Sequence, residues 1–167
     1  MVKEAGNGSA AVGRERFLAD AAARGLEVQI VERMAARSLE EAAGILGITP
    51  ADIVKSLVVK HKDGTFLFAL IPGDRQISWP KLRALVGVNK LSLPPADVAL
   101  DATGYERGTI TPLGSTNPWP VYADSTITGR RISMGAGEHG YSAFVEADAL
   151  TSALGAVVAD ISDPNPM

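Results

Sequence analysis

Two segments of this 167-residue chain carry residue types that could do chemistry. Lys55 opens the apolar run Lys55-Ser56-Leu57-Val58-Val59-Lys60, where a buried strand should begin. Farther on, Gly108-Thr109-Ile110-Thr111-Pro112-Leu113-Gly114 has glycine at both ends and proline between. Glycine permits close backbone approach and positive φ, and proline stiffens a turn. Such a loop can aim several N–H groups at one oxygen, as anion nests and oxyanion holes do. If the fold brings the two segments together, a fixed ammonium faces a ring of amides. That arrangement suits a phosphate and an ester.

Each feature also has a plainer reading. In a strand, residues 55, 57 and 59 share one face and 56, 58 and 60 the other. Lys55 could lay its stem on the core beside Leu57 and Val59 and keep its ammonium in water. The Gly108 segment could be a simple turn between strands. Gly135-Ala136-Gly137-Glu138-His139-Gly140 is a second glycine-rich stretch, resembling a tight β connection more than a phosphate loop. His139 could serve as acid, base or substrate contact. Asp124 ends the run Val121-Tyr122-Ala123 and fits a turn-making aspartate equally well. Tyr105, Tyr122, Trp79 and Trp119 could stack a base or pack a core.

Composition narrows the chemistry. With no cysteine there is no disulfide, thiolate site or cysteine nucleophile. With two histidines and no carboxylates gathered around them, no metal or other cofactor is expected. The net charge of −3 argues against broad, charge-driven binding to DNA or RNA, though a small pocket could still grip a few phosphates. Apolar runs of a few residues span no membrane, and residues 1–11 lack a signal-type apolar core. A cytoplasmic protein is expected.

The elements that must position these groups follow from periodicity. Residues 1–13, poor in apolar types, read as a disordered tail, and 158–167 as a C-terminal tail, around one domain of residues 14–157. Helices are predicted at Arg14–Arg24, after Ser38, over Ser78–Val86, over Pro94–Thr103 and over Ala147–Leu154. Strands are predicted at Leu26–Glu32, Val54–Lys60, Thr65–Ile71, Gly108–Thr111, Pro120–Ala123, Arg131–Met134, Ser142–Glu146 and, as a short addition, Ala156–Ile161. Lys62-Asp63-Gly64 should turn a hairpin. Without a regular β-α-β rhythm, an α+β fold with a mixed, largely antiparallel sheet is expected.

The order of these elements resembles the YbaK/prolyl-tRNA synthetase-associated family of aminoacyl-tRNA editing domains. The resemblance runs from about Arg14 to Leu154. It is carried by Glu41 to Gly47, Ile53 to Val59, Gly73 to Ile77, Thr103 to Tyr105, Gly108 to Gly114, Val121 to Asp124 and the stretch ending at Gly140. It implies a barrel-like sheet with surrounding helices, and hydrolysis of the ester joining a wrong amino acid to the tRNA acceptor end. It implies that Lys55 holds the terminal adenosine and its phosphate, and that Gly108 to Pro112, Thr109 and Ile110 included, meets the ribose and ester carbonyl. Tyr105, Asp124, Gly137 and His139 are the further substrate-binding candidates. Members acting on cysteinyl-tRNA(Pro) carry Ser-Gly-Gly where this chain has Gly135 to Gly140, so the resemblance does not name the amino acid. The competing reading is a non-catalytic module that recognises tRNA, a nucleotide or an aminoacyl-tRNA synthetase.

Overall fold

The computed structural model describes residues 9–32 and 36–166. In chain order the elements are α1 (Ser9–Ala23), β1 (Gln29–Glu32), α2 (Leu39–Leu46), a 3₁₀ turn at Pro50–Asp52, β2 (Val54–His61), β3 (Phe66–Pro72), β4 (Arg75–Ile77), α3 (Trp79–Val86), β5 (Leu91–Ser92) and α4 (Ala96–Thr103). There follow β6 (Val121–Asp124), a 3₁₀ turn at Ser125–Ile127, β7 (Arg131–Gly135), β8 (Tyr141–Glu146), α5 (Ala147–Leu154), β9 (Val157–Ala159) and β10 (Ser162–Pro164). The α/β fold expected from the sequence is present.

β3 explains the architecture. Phe66-Leu67-Phe68-Ala69-Leu70-Ile71-Pro72 is apolar at every position, and every residue is buried. A strand apolar on both faces must be covered on both. Phe66, Phe68 and Leu70 face one core, with Val54, Val58, Phe17, Ile132, Val145 and Leu150. Leu67, Ala69 and Ile71 face a second core, with Val59, Leu82, Leu91 and Ile161. β3 therefore lies at the middle of a five-stranded sheet ordered β5-β2-β3-β6-β9. β2 runs antiparallel to β3, while β6 joins β3, and β9 joins β6, in parallel. A second, antiparallel sheet is ordered β1-β8-β7, and β10 pairs with β4. Among the described residues the strands are mostly antiparallel, as expected, but they form three sheets and no closed barrel.

Local chemistry fixes the ends. Ser38 caps α2 by accepting from the Glu41 N–H at 3.0 Å, and the Glu41 carboxylate accepts from the Arg37 N–H at 2.7 Å. The expected capping box thus reaches one residue farther back than its usual form. Gly64, at φ 89°, turns the β2–β3 hairpin.

Three expectations are corrected. Helix α1 begins at Ser9, so residues 9–13 of the expected tail are helical, whereas residues 1–8 lie outside the described residues. Gly108–Thr111 forms no strand; it is a turn running into a loop. The expected tail at 158–167 is paired in part, since β9 and β10 extend into it, whereas residue 167 lies outside the described residues.

The C-terminal pairing rests on Asp124, which has no exposed surface. Its carboxylate accepts from the Ile161 N–H at 3.0 Å, the Thr126 N–H at 3.2 Å and the Thr126 hydroxyl. Arg75 Nε lies 3.9 Å away and donates to Ser162 Oγ at 2.6 Å. Burial alone would raise the Asp124 carboxyl, but hydrogen bonds from Thr126, Ser162 and Ile161 outweigh it and hold the group below the usual aspartate value. A folded-state pKa below the unfolded one stabilises the fold fully above about pH 4, and the gain is lost as pH falls through the depressed value. Asp124→Ala leaves buried donors unpaired and should cost about 3 kcal/mol near neutral pH. In thermal melts across pH, the gap between wild type and variant should close in acid; a constant gap would rule out this role.

Candidate functional site

β2 pairs with β3 over Val54–Lys60 but meets β5 only at Lys60 and His61. β7 pairs with β8. Between the facing edges of β2 and β7 there is one parallel bridge, Ile53 to Ser133. Beyond it the strands diverge, and a cavity of about 410 Å³ opens between them. Residues 53–58 line it along β2, with Ser133, Met134 and Gly135 on β7 and Tyr141 and Ser142 on β8. Ala42 and Leu46 of α2, the Leu93–Pro94 turn, Ala96 and Ala99 supply apolar wall, and Arg107, Gly108 and Ile110 complete the rim.

Lys55 and Gly108, far apart in sequence, thus line one cavity. The β2–β3 register sets Lys55 opposite Ile71, on the second-core side, the face it shares with Leu57 and Val59. Its ammonium donates to the Arg75 carbonyl at 3.0 Å. Burial lowers its pKa, and the nearby Asp74 carboxylate opposes that shift. The cation is therefore held by β4 instead of swinging free in water.

The Gly108 loop is built backbone against backbone. The Thr109 N–H donates to the Glu106 carbonyl at 2.9 Å, closing a turn whose third residue, Gly108, has φ 92°. A positive φ at that position is what a type II turn demands. The Thr109 carbonyl then accepts from the Gly137 N–H at 3.0 Å. A Cβ at Gly135 would stand 3.0 Å from the Ile110 carbonyl oxygen, so glycine lets the loop lie directly on β7. The two glycine-rich stretches are halves of one construction.

Helix α1 holds the loop from behind. Arg16 donates to the Gly114 carbonyl at 3.0 Å and the Gly104 carbonyl at 3.1 Å, and stacks over the Tyr105 ring at 4.5 Å. The Asp20 carboxylate accepts from the Gly114 N–H at 2.8 Å. Tyr105 donates its hydroxyl to the Leu113 carbonyl at 2.7 Å. Burial pushes this phenol up to about 12, partly opposed by Arg16, so it stays a neutral donor.

Among the expected site residues, Lys55, Gly108 and Ile110 line the cavity. The Gly108 and Ile110 amides donate to no protein group among the described residues. Thr109 is buried beside them, but the turn consumes its N–H and its hydroxyl donates to Glu106 at 2.8 Å. An oxyanion role for the Thr109 amide is thus corrected to a loop-closing one. Pro112, Tyr105, Gly137 and Asp124 lie outside the lining, packed into the loop, its rear support and the β6–β10 junction. His139 is exposed next to Gly108, with Nε2 3.2 Å from a Glu106 carboxylate oxygen. Trp119 donates to the Ala102 carbonyl at 2.8 Å and packs on Phe66, away from the cavity.

Sequence reasoning passed over Ser56, Arg107, Ser133, Tyr141 and Ser142. Ser56 and Arg107 adjoin Lys55 and Gly108, which was the available signal; the other three needed the β2–β7 approach. Lys55 and Arg107 are the charged residues of the described lining, and both are basic although the chain is acidic. The lining contains no histidine or carboxylate.

Fold and cleft together define a mixed-sheet protein with a cleft between two strand edges, lined by two basic residues and by no acidic one among the described residues. The chain belongs to the family of aminoacyl-tRNA editing domains, which it matches over residues 34–153. It is 33% identical over 115 residues to a proline–tRNA ligase of Kosmotoga olearia, covering 68% of this chain and 20% of that enzyme. A proline–tRNA ligase of Bacillus licheniformis is 31% identical over 101 residues, 60% of this chain and 18% of the enzyme. The chain spans about a fifth of the length of these ligases. Its fold is similar to a solved protein described as a proposed trans-editing enzyme for prolyl-tRNA synthetase. The TM-score is 0.83 at 26% identity, covering 95% of this chain and 99% of the other.

The close seating of the Gly108 loop on β7 is open to test. Gly135→Val should push the Thr109–Ile110 backbone away and destabilise by about 1–3 kcal/mol. Amide exchange at Gly137, whose N–H is bonded to Thr109, should then quicken at least tenfold. Unchanged exchange would mean that the loop does not depend on glycine there.

Proposed function

We propose that this chain is a trans-editing deacylase that hydrolyses the ester of mischarged tRNA, with tRNA(Pro) the first tRNA to test. The observation that carries the reading is the joint lining of one cleft by Lys55, Gly108 and Ile110. Family membership and the likeness to proline–tRNA ligases support it.

The cleft suits an ester that is already activated. The described lining holds no histidine, carboxylate or cysteine, and an activated ester needs no protein nucleophile. A water positioned in the cleft attacks the ester carbonyl carbon, and the unengaged Gly108 amide, with Ile110 beside it, stabilises the developing oxyanion. The bond to the ribose oxygen breaks, the ribose hydroxyl takes the proton, and the amino acid leaves as its acid. Lys55, fixed by Arg75, anchors the terminal adenosine. Arg107 at the exposed rim meets the acceptor-strand phosphates, where guanidinium and phosphate geometry match. The partners are the aminoacyl-tRNA acceptor end and an aminoacyl-tRNA synthetase that releases it, and the setting is the cytoplasm.

The test is deacylation of a panel of mischarged tRNAs. Wild type should cleave at least one member, and Lys55→Ala should lower kcat/KM by about 100-fold. Arg107→Ala should raise KM with little change in kcat, and should reduce the log–log salt slope by about 0.7, the loss of one single-strand phosphate contact. If no member is cleaved while charged tRNA still binds, the chain is a binding module instead.

A further inference from the structure

The acidic net charge hides where the unmatched cations stand. Arg14, Arg24, Arg37, Lys81, Arg130 and Arg131 each lie 2.9–3.7 Å from a carboxylate oxygen. Lys60, Lys62, Arg83, Lys90 and Arg107 have no such partner among the described residues. Strand pairing sets three of these together. β2 meets β5 at Lys60–Ser92 and His61–Leu91, so the next position along brings Lys62 level with Lys90. Lys62 and Lys90 are exposed and Lys60 is half-buried. Asp63, the carboxylate of the adjoining turn, is engaged by Thr65, whose N–H and hydroxyl donate to it at 2.9 and 2.7 Å. Like charges set across neighbouring strands destabilise a sheet, so this grouping does nothing for the fold.

The lysines continue the cleft. Val58 lines the cavity, and Lys60 follows two residues on, on the same face of β2. On the neighbouring chain Leu93 and Pro94 line the cavity, and Ser92 and Lys90 lead away from it. Both segments therefore run from the cavity wall to lysines. Lys60 stands about 17 Å along β2 from Lys55, at ~3.3 Å per residue. The unpaired nucleotides at a tRNA 3′ end cover such a span before the duplex begins. A lysine ammonium meets phosphate as a point charge. The large hydrophobic side chains left exposed among the described residues are aliphatic, so no ring stands ready to stack a base. Contacts of this kind position a nucleic acid without reading its sequence.

Resting on the deacylase reading, we propose that Lys60, Lys62 and Lys90 form a docking surface for the phosphates of an RNA acceptor stem. The stem lies across the β2–β5 end while its 3′ terminus enters the cleft. Net acidity elsewhere confines RNA to this surface.

The test uses the full chain, an uncharged acceptor-stem hairpin RNA and two kinds of ester, charged tRNA and aminoacyl-adenosine. Replacing Lys60, Lys62 and Lys90 together by glutamine should raise the hairpin Kd about tenfold or more at low salt. The log–log salt slope should shrink by about 2, the loss of three phosphate contacts. On charged tRNA the KM should rise in parallel with kcat little changed, whereas kcat/KM on aminoacyl-adenosine should hold. The variant should melt at or above the wild-type temperature, since it removes like charges and no protein hydrogen bond. A control replacing Arg24, Arg37 and Arg131 by glutamine makes the same change in net charge and should leave hairpin affinity within about threefold. The proposal is overturned if wild type does not bind the hairpin, or if the control weakens binding as much as the lysine variant. Hairpin affinity unchanged in the lysine variant, as a surface for an acidic protein would leave it, overturns it too. Cleavage of charged tRNA with a KM indifferent to the three lysines ends this proposal alone. Lysine-dependent hairpin binding with no ester cleaved ends the deacylase reading and keeps the docking surface.

Discussion

The structure depends on a pairing that is not made. β2 is committed along one edge to β3 and, at its far end, to β5, while β7 is committed to β8. Among the described residues, the Ile53–Ser133 bridge is the one point at which the two remaining edges pair. Past it they separate into the cavity. In a closed barrel these backbone groups would bond one another and the interior would fill with side chains. Left open, the same edges offer main-chain donors and acceptors to a ligand.

The rest of the molecule holds that gap open at a fixed width. β3 anchors β2 by filling both cores at once. The Gly108 loop is pinned to β7 by Gly135 and Gly137 in front and to α1 by Arg16 and Asp20 behind. On the far side Lys55 donates to Arg75, which bonds Ser162 and lies beside the buried Asp124 carboxylate. The cation of the cleft is therefore tied to the C-terminal strands through continuous polar contacts. Functional groups set on such rigid supports are better placed for catalysis than groups on free loops.

Much of this was legible in the sequence. The apolar runs before and after Gly64 gave the central hairpin, and Ser38 and Glu41 marked the start of α2. The mixed, largely antiparallel fold followed from the irregular order of elements. The errors share a physical cause. Gly108–Thr111 has strand-like residues, but the Gly108 φ and the backbone packing on Gly135 draw it into a loop. Residues 158–167 look like a tail until Ile161 and Ser162 meet Asp124, a partner 37 residues away from Ile161. Tyr105 and Asp124 have the chemistry of site residues and spend it on internal hydrogen bonds.

On the proposed reading, the gap between β2 and β7 receives the aminoacylated end of tRNA. Amide chemical shifts, followed by NMR during titration with a non-hydrolysable aminoacyl-adenosine in which a 3′-amide replaces the ester, address it most directly. The largest changes should fall at residues 55–58, at Gly108 and Ile110, and at residues 133–135. Changes concentrated instead in the shallow groove of Leu18, Leu26, Val28 and Phe144, or absent at millimolar analogue, would contradict the account.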